Sequence, residues 1–167
     1  MKYLNIIFFA FFLVSVFSSC EPLESIEPQT SAASRSSSAI GNNQLYLNGS
    51  FRTSEASWAT PSQSAMRVNY DPAVYRSAKG VVFSANLAVE DESNICAVRL
   101  YNFTDNQPIA LSEIVSEAGK GGVQKIFSAD VLASLPEKKA LLGVQAKSSN
   151  NGQFVSVSSS SLRFKYD

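Results

Sequence analysis

Histidine is missing from all 167 residues, cysteine and methionine occur twice each, and tryptophan once. Histidine is the usual general base near neutral pH and the commonest metal ligand. Its absence excludes Ser-His-Asp and Cys-His nucleophile systems and His-based zinc sites. Carboxylate chemistry and oxygen-ligand calcium sites stay open, but the chain is not expected to be an enzyme or to carry a cofactor. Charge is scarce and balanced, with 14 Lys and Arg against 14 Asp and Glu. Proteins that bind nucleic acid neutralise its phosphates with clustered basic residues, so nucleic acid is not an expected partner. What the chain does have is 45% apolar residues, the ordinary globular range, and a length suited to one domain with appendages.

The longest apolar stretch lies at the start, MKYLNIIFFAFFLVSVFSSC. Lys2 gives a positive beginning, Leu4 to Phe17 is apolar apart from Asn5 and Ser15, and small Ser18 and Ser19 lead into Cys20. This pattern describes a secretory signal at residues 1–19, and it is shorter than the roughly 20 apolar residues of a membrane-spanning helix. The tetrapeptide FSSC resembles the lipobox, the cleavage motif of bacterial lipoproteins, with Phe17 where leucine is more usual. The resemblance covers the leader alone. It implies cleavage before Cys20, diacylation of the Cys20 thiol and acylation of the new amino terminus. Each buried methylene contributes about 0.8 kcal/mol, and two or more acyl chains hold a protein stably on a membrane. The expected place is the cell envelope, lipid-anchored at the outer membrane, on its periplasmic face or at the cell surface. A secreted protein with Cys20 at its processing site is the alternative.

Residues 20–43 are rich in serine, with two prolines, three glutamates and few apolar side chains, too little to offset the entropy of ordering them. They read as a flexible tether, whose r.m.s. span as a coil is roughly 25 Å. Glu21, Glu24 and Glu27 resemble the acidic stretches that follow the cysteine in some surface-directed lipoproteins of Gram-negative groups; a solvated acidic linker reads equally well. With Cys20 lipidated, Cys96 has no intramolecular partner. It shares one strand face with Val98 and Leu100 in NICAVRLYNF and is expected to be a buried, inert thiol.

From residue 44 to 167 short apolar runs alternate with turn residues. Leu45–Leu47, Asn48-Gly49 and Ser50–Arg52 fit a hairpin, because Asn-Gly accepts the positive φ values of a type I′ turn. Val81, Phe83, Ala85, Leu87 and Val89 mark a strand, a polar turn follows at Glu90–Asn94, and Ile95–Phe103 forms the next strand. Further strands are expected around Leu142–Lys147, Phe154–Val157 and Leu162–Tyr166. A strand is favoured over a helix at 108–118, and one short helical turn is expected between Ser128 and Leu135, ended by Pro136. Strands at this spacing predict an all-β domain, an antiparallel β-sandwich. The segments VRLYNFTDNQPI, SLP and LLGVQAKSS resemble small jelly-roll domains of the kind that bind glycans or decorate surfaces. That resemblance covers about half of the domain and bears on architecture more than on function.

Few residues offer chemistry. Trp58 lies in the polar segment SEASWATPSQS, where its ring could stack on a sugar, with Tyr70, Tyr75 and Tyr46 extending the platform, or could cap the core. Glu90-Asp91-Glu92 could supply oxygen ligands to calcium but lacks a spaced ligand pattern, so a solvated turn and no metal site is expected. Asp71, Asp105 and Asp130 read as turn or cap residues. The expected function is a lipid-anchored, non-catalytic envelope module that binds carbohydrate or another envelope protein. A structural or adhesive component is the second reading, and a small enzyme the third.

Overall fold

Apolar residues at every second position commit one face of a strand to an interior. The computed structural model describes residues 43–62 and 64–166, and in it this periodicity builds two facing sheets. The strands in chain order are β1 (Gln44–Thr53), β2 (Arg67–Tyr70), β3 (Gly80–Val89), β4 (Cys96–Asn102), β5 (Gln107–Pro108), β6 (Ile114–Val115), β7 (Gly122–Asp130), β8 (Ala140–Ser148) and β9 (Val155–Lys165). The first sheet has the order β1-β9-β3-β7 and the second β2-β8-β4-β5, with β6 also on β4. All pairings are antiparallel. The chain is therefore an all-β sandwich of two antiparallel sheets.

The core lies between the sheets. Leu47, Val81, Phe83, Leu87, Val157, Leu162 and Phe164 enter it from the first sheet, and Cys96, Val98, Leu100, Leu142, Val144 and Ala146 from the second, each essentially inaccessible to water. Removing a side chain of valine, leucine or phenylalanine size from water contributes roughly 1.5–3 kcal/mol, which makes this interior the main source of stability. Cys96 lies within it, and burial pushes its thiol pKa up to about 12. The expected burial of Cys96 is met.

Three expectations from the sequence are corrected. Asn48-Gly49 makes no hairpin: residues on both sides of it pair with β9, and the register slips between Leu47 and Ser50, so the dipeptide is a bulge in one long strand. Phe154–Val157 and Leu162–Tyr166 are not separate strands, since β9 runs from Val155 to Lys165 through a bend at Ser159. The segment 108–118 forms neither a full strand nor a helix but two short pairings on β4, at Gln107–Pro108 and Ile114–Val115. Leu111 between them has φ of 62°, which interrupts both alternatives. The expected helical turn is a 3-10 turn at Leu132–Ser134.

The aspartates act as the sequence suggests. Asp71 caps a 3-10 turn through the Ala73 amide at 3.0 Å. Asp130 accepts from the Val81 and Leu132 amides at 3.0 and 2.9 Å. Asp105 accepts from Asn102 Nδ2 at 2.8 Å and pairs with Lys138. The expected signal peptide at 1–19, Cys20 and all of the tether except Asn43 lie outside the described residues. Among the described residues, no helix is long and apolar enough to cross a membrane.

Candidate functional site

The inward positions of β4 and β8 are occupied by core residues, so their other parity faces outward. Register sets Ala97 opposite Lys147, Arg99 opposite Gln145, and Tyr101 opposite Gly143. The chain ahead of β2 joins the same surface where Ala59 bridges to Ala146 through amide–carbonyl bonds of 2.8 and 3.0 Å. That bridge brings the half-buried Trp58 onto the outer face. Lys147 Nζ lies 4.4 Å and Arg99 Cζ 4.2 Å from the centroid of the Trp58 ring.

From Trp58 the row continues across the sheet. Arg99 Cζ is 5.9 Å from the Tyr101 ring, Tyr101 meets Phe103 edge-on with centroids 5.0 Å apart, and Arg67 Cζ lies 4.1 Å over Phe103. Hydrogen bonds fix the row's geometry. Arg99 donates through Nε and Nη2 to Gln145 Oε1 at 3.0 and 2.8 Å, and Gln145 Nε2 donates to Thr60 Oγ1 at 3.2 Å. The Tyr101 hydroxyl donates to Asn106 Oδ1 at 2.7 Å. Gly143 makes room for the row, since a Cβ there would fall 2.6 Å from Phe103 Cε2 and 2.9 Å from the Met66 carbonyl oxygen.

The electrostatics of this face are one-sided. Among the described residues, ion pairs include Arg52–Glu90, Lys120–Glu117, Lys138–Asp105 and Lys139–Asp71. Arg67, Arg99 and Lys147 have no carboxylate partner among the described residues, and Arg67 Nε is buried there without a hydrogen-bond partner. The rings hold these cations by the attraction of a cation to a π face, about 0.5–1 kcal/mol each at exposed sites. A chain of balanced overall charge thus carries a local positive strip on aromatic supports.

The platform of Trp58 with Tyr70 and Tyr75 is not assembled. Tyr70 is 5% exposed and stacks on Tyr75 with centroids 5.9 Å apart, and Tyr75 stacks on core residue Phe164 at 3.7 Å. Burial raises the pKa of both phenols, with the Tyr75 and Asp71 charges adding for Tyr70 and the Tyr166 charge for Tyr75. These two rings pack against the interior. Tyr46 is 51% exposed but belongs to the first sheet. Trp58 alone of the expected set lies on the candidate face, and Arg67, Arg99, Tyr101, Phe103, Gln145 and Lys147 are its companions. The sequence signal for four of them was the polar parity of the 95–103 and 142–147 strands.

The acidic turn is held internally. Asp91 accepts from Ser93 N and Oγ at 2.8 and 2.7 Å and from Gln153 Nε2 at 3.1 Å, the Ser93 bonds being the main reason its pKa lies below the usual range. Among the described residues no group of three or more potential ligands could hold a metal ion. No known family matches this chain, and no curated protein is recognisably similar to it.

Proposed function

We propose that this chain is a lipid-anchored, non-catalytic module of the bacterial cell envelope that binds an acidic polysaccharide across the outer face of its second sheet. The observation that carries this reading is the row of Arg67, Arg99 and Lys147, held on aromatic rings and without a carboxylate partner among the described residues. Planar guanidinium groups recognise carboxylate and sulfate groups through paired hydrogen bonds, and an extended row suits a repeating polymer. Trp58, Tyr101 and Phe103 support the cations and offer apolar edges to sugar rings. The lipobox-like leader supports an outer-membrane anchor, with the module held off the bilayer by its tether.

Retention on immobilised polygalacturonate compared with neutral dextran tests the reading. The full chain in detergent is expected to be retained by the acidic polymer alone and to elute with salt, because exposed charges are screened. Equal retention on both polymers, or on neither, contradicts it. A structural or adhesive role has its own observation: edge strand β7 exposes Val123 at 70% and Phe127 at 53%. Concentration-dependent self-association without retention on polygalacturonate is the result which that role gives.

A further inference from the structure

The opposite side of the sandwich carries a second feature. On the first sheet, the bulge at Asn48-Gly49 in β1 faces a second irregularity in β9, where Ser159 has φ of 48°. Bulges break the ladder and re-aim neighbouring side chains, and a non-glycine residue at positive φ is held there by its surroundings. Beside them opens a cavity of about 410 Å³, whose walls include Gln44, Tyr46, Asn48, Lys125, Ser161 and Arg163. This volume lies within the range of small-molecule sites.

We propose that this cavity is a binding site for a single sugar acid, a polyhydroxylated ring bearing a carboxylate. Charge supplies the first argument. Lys125 and Arg163 line the cavity from different strands, neither has an ion-pair partner among the described residues, and no acidic side chain lines the cavity. The second argument is a prearranged chain of polar groups suited to hydroxyls. The Tyr46 hydroxyl donates to Gln44 Oε1 at 2.9 Å, Gln44 Nε2 donates to Ser161 Oγ at 2.8 Å, and Ser161 Oγ lies 3.2 Å from Ser84 Oγ. Tyr46 and Gln44 keep unused donor or acceptor capacity for a sugar hydroxyl, while the buried Ser161 and Ser84 hold Gln44 in place. Tyr46, half exposed, gives the cavity an aromatic wall on which a pyranose ring packs. Two cations alone would suit any anion, and hydroxyl and amide groups alone any sugar; their combination selects an acidic sugar. The site shares no residue with the strip on the second sheet and stands or falls independently of it.

The test is calorimetric titration of the full chain in detergent with glucuronate, glucose and inorganic phosphate. Glucuronate is expected to bind at least about tenfold more tightly than either of the others, since only it engages both the cations and the polar chain. Arg163→Gln and Lys125→Gln should each weaken it about tenfold while leaving the melting temperature unchanged, both side chains being exposed. Lys120→Gln, at an exposed lysine ahead of β7 and outside the cavity wall, should leave it unaltered. Absence of glucuronate binding overturns the proposal. So does phosphate binding as tightly, which marks an unspecific anion site, or glucose binding as tightly, which removes the cations from recognition. An equal loss of glucuronate binding on Lys120→Gln would mark a general charge effect and overturn the assignment as well.

Discussion

Arg99 shows how a single side chain draws on several neighbours at once. Its Nε and Nη2 share the Gln145 carbonyl oxygen, its guanidinium lies against Trp58, and Tyr101 flanks it. An arginine so held loses little further freedom when it meets an anion, and preorganisation of this kind favours binding. Cys96 shows the opposite use of a reactive group. An unfolded thiol ionises near 9, whereas burial keeps the folded one protonated to about 12. Between those values the unfolded state binds fewer protons than the folded state, so stability must fall as pH rises. The decline approaches roughly 1.4 kcal/mol per pH unit from this group alone. Chemical denaturation across that window is expected to show a steeper loss for the native chain than for Cys96→Ala; equal slopes would place the thiol in water.

At the scale of elements, the strands read most easily were those with strict alternation. Val81–Val89 was legible because one face is entirely apolar, the strand around Cys96 because Cys96, Val98 and Leu100 share a face, and the turn at 90–94 from its run of polar residues. Strands β2 and β7 were missed for a physical reason. β2 has only four residues, and β7 is an edge strand with exposed residues on both parities, so neither shows a clean period. The bulge at Asn48-Gly49 was misread because the same dipeptide serves a tight turn and a bulge; only its pairing with β9 distinguishes them. Gly49 has φ of 115°, a region that L side chains rarely adopt. Gly49→Ala is therefore expected to destabilise the fold by about 1–3 kcal/mol, measured by thermal melting. An unchanged melting temperature would mean that the bulge can reshape without cost. Of the candidate strip, the sequence made Trp58 visible and signalled Arg99, Tyr101, Gln145 and Lys147 through strand parity, whereas Arg67 and Phe103 come from a short strand and a turn that only tertiary pairing brings beside them.

For the whole molecule, the two outer faces of the sandwich carry cations without ion-pair partners among the described residues while the chain itself is neutral, so charge is distributed by surface and not in bulk. An anchored domain with acid-binding faces would gain from confinement near an acidic polymer, where a second contact forms at raised effective concentration. Anchoring has its own check. Cys20→Ser is expected to remove the acyl mass and to move the chain from the membrane fraction to the soluble one; an unchanged membrane fraction would refute lipidation at that residue. The account rests most heavily on the cationic strip of the second sheet, and calorimetry with polygalacturonate tests it most directly. The native chain should bind, and the double variant Arg99→Gln, Lys147→Gln, compared below its lowered melting temperature, should lose at least about tenfold in affinity. Equal affinity in the folded double variant would contradict it.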